Sequence, residues 1–421
     1  MLGVFLSKIK KIFSGRWSAV ILILLVFFQL IYSFLFPAGG FNANWLSPTT
    51  YLPKFTVQST DNFLLGKIYP LISPEYCLNS DVGNYLELAK NFNAQGFDGH
   101  VFLDRPLYSF SIFLLSLPLR LFTEPSYGII FGLAIFLNFI FVAVAALLFF
   151  SFLKKLFSLR VAFLSSVLLI FSPYVHASLI QPMAEVLMVF VLSLAVYLLY
   201  DYIKNPSAPK LVVYSLIVGI LMLGKMFFAI SFFILLLAVY FKRYREGIVF
   251  FAIHLIPLGL WYLWITQVWH LTFYLYEAQH YKMGLWLLGV LRQPWQETAQ
   301  ILLSAIPNFV RALVYGFLLI PVIFSAIGLR ALPFKSKNLV YFGALFSGFA
   351  LFFIMNLYFA HHAFLLFPII YPTAVLGIEK IAAYLKRYRS WYYPVFYATI
   401  IGSIIIISNI NIYRVFEYVG F

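Results

Sequence analysis

An apolar run of about 20 residues crosses a bilayer as a helix, and this sequence repeats such runs along its length, separated by small clusters of lysine and arginine. The first is Trp17–Phe36, preceded by Lys8, Lys10, Lys11 and Arg16. A cleaved signal peptide has similar flanks but a shorter apolar core, so the segment reads as a retained anchor with a cytoplasmic N-terminus. Hydrophobic residues make up 63% of the 421 residues and charged residues 10%. A soluble domain needs about 25% charge to cover its surface, so an arrangement of two or three soluble domains is excluded. The single cysteine, Cys77, leaves no internal disulfide and no Cys-based zinc site. The net charge of +15 fits cytoplasmic loops rich in Lys and Arg. It does not point to nucleic acid, since no soluble basic domain exists to carry that role.

Topology turns on the apolar segment 107–122, which Pro118 and Arg120 interrupt near its end. If it does not span, the later spans fall at roughly 127–152, 161–180, 183–201, 211–224, 226–241, 247–266, 306–328, 339–358, 363–379 and 391–410, about eleven helices with the anchor. The inside loops then hold Lys154, Lys155, Arg160, Lys204, Lys210, Lys242, Arg243, Arg245, Arg330, Lys335, Lys337, Lys380, Lys386, Arg387 and Arg389. With the four N-terminal cations, 19 of the 29 lie inside. If 107–122 spans, every later loop flips and only 10 of 29 remain inside. The positive-inside rule selects the first arrangement and makes 107–122 an interfacial helix on the outer face. Of the 14 acids, only Asp201, Glu246 and Glu379 then lie inside.

The expectation is an all-α polytopic membrane protein, a single membrane domain over 1–421. A large first outer loop, 37–126, carries interfacial helices, and a second, 267–305, is rich in aromatics and suited to act as a lid. Trp269, His270, Tyr281 and Lys282 fall in that second loop, where Trp and Tyr favour the headgroup level. No internal repeat is evident, nor the matched pair of interrupted helices that transporters carry.

Candidate chemistry collects on the outer side. Asp81 opens a stretch in which Tyr85, Leu88, Ala89 and Phe92 form an amphipathic stripe; it is either a helix cap or a base. In Asp104-Arg105-Pro106-Leu107-Tyr108 the proline suits a first helical turn, leaving Arg105 at the headgroup level beside an anion-attracting helix end or paired with lipid phosphate. Glu185 stands at the outer end of a span, either as a helix N-terminal carboxylate or as a functional acid. Lys225, after Leu223-Gly224, is a snorkelling lysine or a point charge for phosphate. His361 and His362 share another outer turn and suit hydrogen bonds to a phosphate or sugar better than a metal. His176 and His254 read as hydrogen-bonded interior histidines. There is no HxxxH, HExxH or DxD pattern, no Walker loop and no GxGxxG.

Taken in order, these features resemble the GT-C-fold glycosyltransferases that use polyprenyl-phosphate sugars, with protein O-mannosyltransferases and the aminoarabinose transferases of lipid A as the nearest types. The resemblance rests on the anchor, the Asp81-headed helix, the Arg105-Pro106-Leu107-Tyr108 opening, Glu185 twelve residues after Pro173, and Gly219-x-x-x-x-Gly224-Lys225. It covers roughly 15–245. Beyond that only the layout matches, with His361-His362 where the family often has Arg-Tyr. Where the mannosyltransferases carry Asp-Glu, this chain has Asp81-Val82.

The resemblance implies a membrane enzyme of the plasma or inner membrane with its site on the outer face. Its donor would be a sugar on a polyprenyl phosphate, its acceptor a protein, lipid or glycan, and it would need no metal or cofactor. Arg105 and Lys225, with His361 or His362, would hold the donor phosphate. Asp81, with Glu185, would serve the acceptor, in a single inverting displacement. A transporter or flippase of lipid-linked sugars would use the same cations without the acid.

The topology has a direct test. In a Cys77→Ser background, Gly99→Cys should react with an impermeant thiol reagent from outside, and Ser207→Cys only after permeabilisation. Labelling at 207 from outside overturns the assignment of sides.

Overall fold

The computed structural model describes residues 15–35, 81–92, 106–182, 184–224, 242–270, 317–330, 364–388 and 391–409, with a few isolated residues between 239 and 332. Among the described residues the regular structure is helical, without strands. The helices are α1 (Gly15–Leu35), α2 (Asp81–Asn91), α3 (Pro106–Arg120), α4 (Tyr127–Lys154), α5 (Leu159–Ile170), α6 (Pro173–Ser178), α7 (Ala184–Lys204), α8 (Ala208–Met222), α9 (Tyr244–Gln267), α10 (Leu319–Leu329), α11 (Phe367–Lys386) and α12 (Tyr392–Asn409). Among the described residues, five stretches are long and apolar enough to cross a membrane: α4, α7, α9, α12 and Phe364–Lys386, which contains α11. Shorter apolar helices lie at Trp17–Ser33 within α1, and in α5, α8 and α10. This is the make-up of a multi-pass all-α membrane protein. The expected spans 226–241 and 339–358 lie almost wholly outside the described residues.

Serine caps start the helices where the chain turns. Ser126, Ser158, Ser172 and Ser207 each accept a hydrogen bond from the backbone three residues on, satisfying an N–H that the first helical turn leaves unpaired. The segment expected as one span over 161–180 is broken. α5 ends at Ile170, and Ser172 caps α6 with Pro173 at its first turn, where the missing N–H leaves no hydrogen bond unmade.

α4 is the centre of the bundle, packing on α7, α5 and α1 and carrying α2 and α3 on its first turns. α8 and α9 extend the assembly beyond α7, while α11 joins α5 to α10 and α12. The ring pairs Phe141–Phe190 and Phe152–Tyr200 keep a near-constant sequence offset along α4 and α7, so the two helices run parallel. Both begin at what we term the upper end. Tyr202 donates to Glu246, which also pairs with Arg243, at the lower end, where Asp201 is held by Lys210 at 2.8 Å, Lys155 at 3.9 Å and the Tyr214 hydroxyl at 2.8 Å. Arg160 lies over Tyr393 and Tyr397 there, beside Glu379. The three acids expected inside thus share one end with their cations. α3, with 15 residues, is roughly 22 Å long and is absent from the apolar candidates.

α10 and α11 touch backbone to backbone. A Cβ on Gly377 would lie 2.0 Å from the Phe324 carbonyl oxygen, and one on Gly328 1.7 Å from that of Thr373, an approach that small residues allow between membrane helices. Ser325 and Thr373 hydroxyls bond across the same seam at 2.6 Å. Gly377→Val should therefore lower the melting temperature in detergent, through a destabilisation of at least the roughly 1–3 kcal/mol typical of overpacking. Gly402→Val, in open space, should leave it unchanged.

Candidate functional site

At the upper end the ends of several helices converge on one region. The backbone N–H of Leu107, on the first turn of α3, donates to the carbonyl of Leu223 just past α8, at 3.1 Å. Gly224 packs so closely on Leu187 that a Cβ there would meet its Cδ2 at 2.6 Å. Leu187 lies on the first turn of α7, two residues after Glu185. The Tyr174 hydroxyl on α6 donates to the backbone carbonyl of Glu185 at 3.5 Å, and its ring stacks on Phe364 at 4.3 Å and 10°. Phe317 stacks on the far side of Phe364 at 5.4 Å.

Glu185 itself is 8% exposed. It lies inside the protein, on the first turn of α7, where the helix dipole favours a negative charge. α2 lies across α3, with Ser109 donating to the Tyr85 carbonyl at 3.0 Å and the Tyr85 and Tyr108 rings meeting edge to face at 5.5 Å. At the opposite end of the pair, Arg120 donates to the Lys90 carbonyl, Tyr127 donates to Glu87, and Lys90 sits 4.4 Å over the Tyr127 ring.

Asp81 is the first residue of α2, at the Tyr85–Tyr108 end of that helix. Its side chain, and Arg105, Lys225, His361, His362, Tyr281 and Lys282 entirely, lie outside the described residues. Of the aromatic second loop, Trp269 is buried and packs on Trp261 at 5.4 Å and on Phe92 at 6.2 Å, while His270 is exposed. Phe92 ends α2 with φ of 44°, a left-handed conformation uncommon without glycine. Its ring contacts Phe110, Phe113, Trp261 and Trp269, fastening α2 and α3 to the end of α9.

Two buried polar clusters support this end. Asn138, on α4, accepts from the Tyr108 hydroxyl at 2.7 Å and donates to the carbonyls of Leu179 at 3.1 Å and Gln181 at 2.8 Å. The parallel register of α4 and α7 sets Asn138 beside Glu185–Leu187. The signal for Asn138 in the sequence is a lone carboxamide in an apolar helix of 28 residues, a group that cannot be buried there unpaired. The second cluster is His176, whose Nδ1 is met by Gln29 Nε2 at 2.9 Å and Ser33 Oγ at 3.0 Å, with Gln29 also donating to Asn409 Oδ1 at 2.8 Å. His254 is fully buried, its Nδ1 3.2 Å from the Phe250 carbonyl. Both histidines are hydrogen-bonded interior residues. Among the described residues no group of His, Cys, Asp and Glu is arranged to hold a metal ion.

No protein-family model and no curated protein matches this chain.

If the Gln29–His176 contact fastens α1 to α6, His176→Leu and Gln29→Leu should each destabilise the protein by about 1–3 kcal/mol, the cost of stranding a buried partner. Melting in detergent should show a coupling energy of at least about 0.5 kcal/mol in the double mutant. Additive losses would mean that the two residues act separately.

Proposed function

We propose that the protein is a membrane glycosyltransferase that moves a sugar from a polyprenyl-phosphate donor to an acceptor on the outer face. One observation carries the reading: the contacts Leu107–Leu223, Gly224–Leu187, Tyr174–Glu185 and Tyr174–Phe364 gather at one end the elements that bear the candidate residues. In sequence, Arg105 and Lys225 each stand two residues from the Leu107–Leu223 hydrogen bond, a tether of at most about 7 Å. His362 stands two residues before Phe364, and Asp81 one helical turn before Tyr85.

The chemistry suits these residue types. An acceptor hydroxyl oxygen attacks C1 of the sugar while the C1–O bond to phosphate breaks, and that electron pair leaves with the phosphate. Arg105 and Lys225 stabilise the charge that develops there, with His361 or His362 as hydrogen-bond donors, and preorganised cations are most effective where water is scarce. Asp81 takes the hydroxyl proton as general base. Glu185, two residues before the Leu187 that meets Gly224, is the second acid of the site. A single displacement inverts the anomeric carbon.

A second reading, a flippase or transporter of lipid-linked sugars, gains support from the break between α5 and α6. Interrupted helices line substrate sites in transporters, although here the break has no matched counterpart among the described helices. Radiolabelled polyprenyl-phosphate sugars presented to detergent-purified protein separate the two. An enzyme forms product there, whereas transport needs a sealed vesicle.

Arg105→Ala and Lys225→Ala should each lower turnover by about 10²-fold or more, as for loss of one preorganised electrostatic contact. Asp81→Asn keeps the size and capping ability but loses the base, so turnover toward a hydroxyl acceptor should fall by about 10²–10⁴-fold with donor binding kept. Wild-type transfer by Asp81→Asn would leave Asp81 as a cap and Glu185 as the remaining acid.

A further inference from the structure

Asn138 is placed to do more than satisfy its neighbours. Its carboxamide is planar and short, and each of its functional groups is engaged with a different piece of the upper end. Oδ1 takes the hydroxyl of Tyr108, three residues after Arg105 on the head of α3. The two hydrogens of Nδ2 go to the carbonyls of Leu179 and Gln181, in the turn that leads from α6 to Glu185. The residue is fully buried, as is Tyr108. The head of α3 and the turn before α7 therefore meet through one rigid amide fixed to the central helix. A second, indirect link between them runs through Leu107–Leu223 and Gly224–Leu187.

We propose that Asn138 is a positioning residue that sets the separation between the head of α3 and the turn preceding Glu185. In the transfer reading, on which this rests, that separation fixes the donor-phosphate side of the site relative to its acid side. A side chain lacking either the acceptor or the donors frees one partner while leaving the other seated. A misplacement of about 1 Å at a reacting centre can cost 10²-fold in rate. Asn138 acts through Tyr108 and the 179–181 carbonyls, so its removal reaches turnover before it reaches affinity for the lipid phosphate.

The test uses full-length protein in detergent, with two variants and two readouts. Asn138→Ala removes all three bonds. Tyr108→Phe removes only the one to α3 and leaves both carbonyls paired, so it remains informative if Asn138→Ala folds poorly. With radiolabelled polyprenyl-phosphate sugars, each folded variant should lose about 10- to 10²-fold in kcat while binding of polyprenyl phosphate alone stays near that of the wild type. The double variant should be little worse than Asn138→Ala. The second readout is independent of activity. In a Cys77→Ser background, Leu107→Cys and Leu223→Cys should be joined by a short bis-maleimide, and adding Tyr108→Phe or Asn138→Ala should slow the joining.

Wild-type kcat in the folded variants overturns the proposal. Equal loss of kcat and of polyprenyl phosphate binding overturns it too, since that is general damage. If the wild type itself transfers no sugar, the transfer reading falls. Cross-linking then decides Asn138 alone, and an unchanged rate overturns its positioning role.

Discussion

A backbone carbonyl in hydrocarbon has no water to bond, so a membrane helix can break only where the protein supplies partners. The chain breaks one, between α5 and α6, and the turn after α6 leaves Leu179 and Gln181 with carbonyls outside any helix. Asn138 receives both, and Ser172 caps the restarted helix through Val175. The cost of a buried unpaired polar group, of order a few kcal/mol, is thereby avoided. The same break makes room for Tyr174 to meet Glu185 and Phe364, and for His176 to face α1. The upper end of the bundle depends on that accommodation.

The two ends divide the chain's few charges by different logics. At the lower end acids and cations neutralise one another: Asp201 with Lys210 and Lys155, Glu246 with Arg243. Such pairs at a membrane boundary hold loops in register. At the upper end Glu185 is buried on a helix N-terminus, and Glu87 is engaged by a tyrosine hydroxyl. The upper-end acids thus sit against helix ends and hydroxyls, the lower-end acids against lysine and arginine.

Sequence alone made much of this legible, because apolar length and the spacing of cations are governed by the bilayer rather than by partners distant in the chain. α1, α4, α7, α8, α9, α11 and α12 fall close to where apolar runs place them, and α3 ends at Arg120 with Pro118 inside its last turn. The break after Ile170 was less legible. Proline in an apolar run signals a kink or a restart equally well, and the outcome depends on Asn138, some 35 residues earlier in the chain. Asn138 and Gln29 carry no motif, and Tyr108 stood out only as part of Arg105-Pro106-Leu107-Tyr108; each matters through a partner that only the tertiary structure supplies. For Asp81 the helix start was readable from the amphipathic stripe. The contacts of Arg105, Lys225, His361 and His362 depend on segments outside the described residues.

The bond between Gln29 and Asn409 crosses 380 positions of sequence and joins α1 to α12, with the Tyr32 hydroxyl on the Asn409 carbonyl beside it. Helices leave the insertion machinery in order, so α1 enters the bilayer long before α12 exists. The α2–α8 unit closes through contacts that are near in sequence and can settle as it is made. Gln29 already reaches His176 within that early assembly, and its second amide hydrogen gains Asn409 only with α12. The contact therefore ties the first described helix to the last, and α12 can be seated on α1 only after everything between them has been made.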